Sequence, residues 1–110
     1  MYQHISVFTF LNEPKNAKTK QKNIEETMAY LEKVPQIYPK VTSQTIAQTT
    51  MDTSKGTPPG APVLLGDVVQ ILNFETQEDL DGYGPSEAHK GLIELTDPMM
   101  DKVTAIDFKV

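Results

Sequence analysis

The chain has no cysteine, no tryptophan and no arginine among its 110 residues, and it has only two histidines. Without cysteine there is no disulfide, thiolate metal site or cysteine nucleophile. Without arginine there is no planar fork to hold a carboxylate or phosphate in two parallel hydrogen bonds, so every basic contact must come from one of ten lysines. That argues against a tightly held anionic cofactor. The sequence also holds no Gly-rich phosphate cradle, Ser elbow or Walker pattern, and Gly56 to Gly60 reads as turn chemistry. Long apolar runs are missing too: none nears the roughly 20 residues of a membrane span. The N-terminal residues enter a strand-like pattern with neither a basic region nor a cleavage site, so no signal peptide is expected and the cytoplasm is the default compartment.

The net charge of −5 is unevenly spread. Residues 1–60 carry seven Lys against five acids, whereas residues 61–110 carry three Lys against ten. An acidic chain without a basic stripe makes a poor nucleic-acid binder, because phosphate neutralisation supplies most of such affinity. What is present is ordinary for a globular protein, with 38% hydrophobic and 23% charged residues. The length predicts one domain over residues 1–110, with a core small enough that dimerisation would add useful burial.

Along the chain, Tyr2 to Leu11 alternates Ile5, Val7 and Thr9 with His4, Ser6, Phe8 and Phe10. Few charges on either side predict a strand covered on both faces. Ala17 to Val34 has Ile24, Met28 and Leu31 at helical spacing, with Pro35 expected to close the helix. Its early lysines oppose the helix dipole, so the first turn is expected to begin late or fray. Val41 to Thr50, rich in Thr, predicts a strand with one wet side. Met51 to Val63 reads as a mobile hairpin connection, and Leu64 to Phe74 as a central strand. Thr76 is placed to cap a short helix over 77–82, and Ser86 to cap another over 87–96 with Ala88, Leu92 and Leu95 inward. Asp101 to Val110 completes the set as a last strand. Met99 and Met100 read as core. This βαββαβ order predicts a ferredoxin-like α+β antiparallel sheet with helices on one face, and the second apolar face of the first strand then needs a partner subunit to cover it.

The stretch Phe74 to Leu92 organises the rest. It closes an apolar strand, turns a short acidic helix, breaks at Gly84-Pro85 and restarts at Ser86, which leaves Tyr83 and His89 on either side of the break. Together with the opening His4-Ile5-Ser6-Val7-Phe8-Thr9-Phe10 and the closing Asp107-Phe108, this run resembles the stress-responsive A/B barrel family, the dimeric α+β barrel domain. The resemblance covers essentially the whole chain. That family usually has a His-Pro pair between the Tyr and the last His; here those positions are Ser86 and Glu87, with Pro85 one residue earlier, while the six-residue Tyr83 to His89 spacing is kept. The resemblance implies a homodimer in which two sheets close a barrel, and a cavity between each sheet and its own helices. It also implies an acid–base pair, since a plant polyketide cyclase of the family uses the matching Tyr and His for an aldol closure.

Both histidines fall on family positions. His89 should lie about three residues into its helix, where the dipole favours the neutral ring and its use as a general base. Tyr83 would donate to a developing enolate oxygen, and His4 would hold the substrate or fix a tautomer. The competing structural reading has His89 packing the helix junction, Tyr83 bonded to a backbone carbonyl and His4 a satisfied strand residue. The sequence lacks a His-Glu-x-x-His or similar spacing, so neither a metal nor another cofactor is expected. The functions these residues suggest are a cofactor-free cyclase, isomerase or lyase acting on a small carbonyl compound, or a non-catalytic barrel dimer that binds an apolar molecule. A cofactor-free monooxygenase is the third, disfavoured by the missing Trp and the lack of an oxygenase motif. The partners expected are a second copy of the chain and a small-molecule ligand, with no nucleic acid and no membrane.

Overall fold

In a computed structural model, which describes residues 1–63 and 65–110, four strands form one antiparallel sheet with the helices on a single face. The elements are β1 (Tyr2–Phe10), α1 (Lys20–Ile37), β2 (Ser43–Gln48), β3 (Val68–Phe74), α2 (Gln77–Asp81), α3 (Glu87–Thr96) and β4 (Met100–Lys109). Their order across the sheet is β2-β3-β1-β4, which is the ferredoxin-like arrangement anticipated from the element order. Among the described residues, no helix is long and apolar enough to cross a membrane.

Register assigns each side chain to a face. Ser6 lies opposite Gln70 and Ala105, and Phe8 opposite Val68 and Val103, all on the side of the helices. Against them pack Ile24, Leu31 and Val34 of α1 and Ala88 and Leu92 of α3, closing a core that also takes Phe10, Leu72, Phe74 and Met99. The other face carries Ile106, Ile5, Ile71 and Thr45 in one row, and Thr104, Val7, Val69 and Ala47 in the next.

Most element ends shift by one to four residues from the sequence reading, those of α1 and β3 the most. Helix α1 starts at Lys20 because Thr19 caps it, its hydroxyl accepting from the Lys22 N–H, and Ala17 just before has a left-handed backbone (φ 61°) that no helix continues through. At the other end, Pro35 lies inside the helix rather than after it. Proline has no N–H for the Leu31 carbonyl, and that carbonyl instead accepts from the Gln44 amide of β2 at 2.9 Å. The helix therefore runs on to Ile37. Strand β3 begins at Val68: of the strand expected over Leu64 to Phe74, residue 64 lies outside the described residues and residues 65–67 are not strand, while the connection before it includes a 3₁₀ turn at Thr53–Gly56. Thr76 and Ser86 cap α2 and α3 as the sequence implied, accepting from the N–H groups of Asp79 and His89.

Candidate functional site

The break between α2 and α3 is held by its own side chains. Ser86 Oγ donates to the Tyr83 carbonyl at 2.5 Å and accepts from the His89 N–H at 3.3 Å, tying the two ends of the segment together. His89 Nδ1 lies 3.0 Å from the Gly84 carbonyl. A carbonyl only accepts, so Nδ1 carries the proton and Nε2 keeps a free lone pair in the neutral ring. Ser86 thus supplies a cap that keeps the turn closed.

Tyr83 is buried with its ring edge-on to His89, centroids 5.2 Å apart, and tilted against His4 at 5.6 Å. The rings of Phe74 and Tyr38 complete its surroundings. Burial, with a smaller contribution from Tyr30, pushes the Tyr83 hydroxyl up to about 12. The Gln70 amide lies close enough to offset part of that rise, yet the two groups do not meet in hydrogen-bonding geometry: among the described residues, the Tyr83 hydroxyl and Gln70 Oε1 are both buried without a partner. Gln70 owes its orientation to the proline in α1. Because Gln44 must donate to the Leu31 carbonyl, its oxygen faces Gln70 and takes the Gln70 N–H at 2.9 Å, which leaves Gln70 Oε1 over.

His4 is engaged at both nitrogens. Nδ1 meets Asp107 Oδ1 at 2.5 Å and Nε2 meets Ser6 Oγ at 2.8 Å. The carboxylate fixes the proton on Nδ1, so Nε2 accepts from the Ser6 hydroxyl. His4 therefore has no nitrogen spare for a substrate while Ser6 holds it.

All three sequence-nominated residues line one cavity of about 240 Å³, together with Ser6 and Thr96. Its remaining wall is apolar: Phe8 and Val103 from the sheet, Leu92 and Ile93 from α3. The structure thus brings His4, Tyr83 and His89 together around one space. Among the described residues, Tyr83 has no backbone carbonyl as a partner, which is where the purely structural reading would put its hydroxyl. Sequence reasoning missed Ser6, Asp107 and Gln70. The two-residue spacing of His4 and Ser6 on a strand was a usable signal for one of them, whereas the cross-strand pairing that brings Asp107 opposite His4 was not readable. Among the described residues, no three His, Asp or Glu side chains converge as a metal-holding group.

The sequence matches no family model and no curated protein sequence. Solved structures do match along nearly its whole length. A dimeric protein of unknown function with a ferredoxin-like fold from Bacteroides fragilis superposes with a TM-score of 0.73 at 13% identity, covering 99% of this chain and 95% of that one. The hydroxynitrile lyase of Passiflora edulis gives 0.73 at 12% identity, over 99% of this chain and 92% of the lyase. A dabb family protein with a ferredoxin-like fold from Mesorhizobium loti gives 0.69 at 14% identity, over 99% and 95%. Likeness at these identities establishes the ferredoxin-like fold and nothing finer.

Proposed function

We propose that this chain is a homodimeric protein of the stress-responsive A/B barrel type whose cavity takes a small, largely apolar carbonyl compound and moves a proton on it without a cofactor. One observation carries the reading: among the described residues, a buried tyrosine hydroxyl with no partner stands beside a histidine whose Nδ1 meets a backbone carbonyl and whose Nε2 has no partner, and both side chains line a cavity that is otherwise mostly apolar. A buried donor left unpaired is costly in a resting protein, and it is well used where an oxygen acceptor arrives with the substrate. His89 Nε2 would take a proton from the carbon beside the carbonyl, or from the hydroxyl of a carbonyl adduct. Tyr83, which is neutral at physiological pH at its ordinary value of 10 and more firmly so when burial raises it, would donate to the oxygen on which charge develops. Asp107 and Ser6 would keep the His4 ring in place as a wall of the cavity. The hydroxynitrile lyase among the fold neighbours supports this reaction class by analogy.

A second reading has its own support. Both nitrogens of His4 are satisfied, as a ring that only shapes a binding cavity would be. Saturable binding of an apolar carbonyl compound without turnover would select it. The deciding experiment screens small aldehydes, ketones and cyanohydrins for turnover with the wild-type chain, His89→Ala and Tyr83→Phe. Each variant should lose at least tenfold in rate, roughly 1.4 kcal/mol of barrier, while remaining folded by circular dichroism. Unchanged turnover in both would remove the catalytic assignment and leave the binding barrel.

A further inference from the structure

The Asp107, His4 and Ser6 contacts have a direction. Asp107 Oδ1 accepts from His4 Nδ1 at 2.5 Å, and His4 Nε2 faces Ser6 Oγ at 2.8 Å. The carboxylate holds the tautomer whose free nitrogen points at a hydroxyl, which is the arrangement that turns serine into a nucleophile whatever the fold. Each part has a local cause. His4 and Ser6 stand two apart on β1 and so share a face, and register sets Asp107 of β4 directly across from His4. Among the described residues, the Ser6 hydroxyl has no other side-chain partner, and Ser6 and His4 both line the cavity.

We propose that Ser6 is the nucleophile of an acyl-transfer activity on small esters, with His4 as its base and Asp107 as the positioning residue. Ser6 Oγ attacks the ester carbonyl and passes its proton to His4 Nε2. The Oγ–C bond forms, the ester C–O bond breaks, and the alcohol leaves with the proton that His4 returns. Water then attacks the acyl-serine, His4 takes a proton from it, and the carboxylic acid departs as Ser6 recovers its own hydrogen. Ester and water become acid and alcohol, and no oxidant or reductant enters. Tyr83 belongs to the same lining, and its hydroxyl, buried and without a partner among the described residues, would have to turn toward the carbonyl oxygen to donate to it. Asp107 is the weak member. Its side chain is 54% exposed against 16% for His4, so water screens it and the acylation is slow in comparison with a buried relay.

This chemistry does not require the His89–Tyr83 proton transfer, and a covalent readout separates the two. The chain is treated with diisopropyl fluorophosphate, from whose phosphorus a base-activated serine oxygen displaces fluoride, and the site is read by peptide mass spectrometry. The expected result is a single phosphoryl group on Ser6, absent from urea-unfolded protein. His4→Ala and the exposed change Asp107→Asn should each slow that labelling at least tenfold. Labelling of Asp107→Asn is the safer comparison, because the substitution removes charge at a half-exposed edge position and leaves the core intact. No adduct on the folded wild type, an adduct spread over Ser43, Ser54 or Ser86, or Ser6 labelling at the same rate in both variants would each overturn the proposal.

Discussion

At the scale of the residue, Tyr83 combines two properties that pull against each other. Its hydroxyl is buried without a partner, a state that costs about 1–3 kcal/mol, and the same burial lifts its ionisation to about 12. Tyr83→Phe should therefore be at least as stable as the wild type near neutral pH, by up to about 1 kcal/mol, because it removes the desolvated hydroxyl and, among the described residues, leaves Gln70 Oε1 as the one buried side-chain atom unpaired. The pH dependence has a definite sign. The folded-state value lies above the ordinary 10, so the contribution of this group to stability is fully present below pH 10 and is lost as the pH climbs from 10 towards 12, where the unfolded chain ionises first. Urea unfolding at pH 8 and pH 11 checks this: stability should fall more steeply with pH in the wild type than in Tyr83→Phe. Equal slopes would mean that the hydroxyl is not desolvated. The sequence nominated Tyr83, His89 and His4 because they are few and sit at a break and on a short alternating strand. It was silent on Gln70, since a glutamine in an apolar strand gives no sign that a proline 35 residues earlier aims its amide.

At the scale of the element, α1 is the part to which the site is pinned. Tyr30 donates to the Ala88 carbonyl of α3 at 2.7 Å and Tyr38 to the Asp79 carbonyl of α2 at 2.6 Å. Each hydroxyl lies where a glycine clears the way, since a Cβ on Gly91 would overlap Tyr30 and one on Gly82 would come within 2.5 Å of the Tyr38 oxygen. The helices on both sides of the Tyr83–His89 break are thus fastened to one long helix. That helix runs past Pro35 to Ile37, with Tyr38 as its cap and Gln44 satisfying the carbonyl the proline leaves over. Gln44→Leu strands two groups at once, the Leu31 carbonyl and the Gln70 amide, and should cost about 2 kcal/mol or more. Thermal unfolding measures it, and a loss below about 0.5 kcal/mol would show that water or backbone movement meets those groups instead. The element order and the caps of α2 and α3 were legible in the sequence, because periodicity and Ser or Thr before a helix are local signals, whereas the Thr19 cap of α1 was not picked out. The end of α1 was not, because the rule that proline stops a helix assumes an unsatisfied carbonyl, and here a side chain from the next strand satisfies it.

At the scale of the molecule, the extents of 38 × 37 × 18 Å describe a slab of one sheet and one helical layer. Ile5, Val7, Val69 and Ile71 lie on the face that no helix covers, flanked by Ile106, which is 60% exposed. An apolar sheet face of this kind is a recognised mark of an association surface, and fold neighbours are described as dimeric. Alternation in β1 made this face legible in the sequence, although β4, with its polar residues interleaved, gave no hint that Ile106 would extend the apolar row across to the edge strand. We therefore expect a homodimer joined sheet to sheet, with Ile106 inside the contact. Ile106→Lys places a charge in each half of a two-fold interface, and neither copy has a carboxylate on that row to pair with it. The dissociation constant should rise at least a hundredfold, about 2.7 kcal/mol, while the monomer keeps its fold because the substituted side chain touches no part of the core. Sedimentation velocity across micromolar concentrations reads this directly. A wild-type chain that stays monomeric throughout would mean that the apolar face is covered by something other than a second copy, and a variant as dimeric as the wild type would move the interface away from β4.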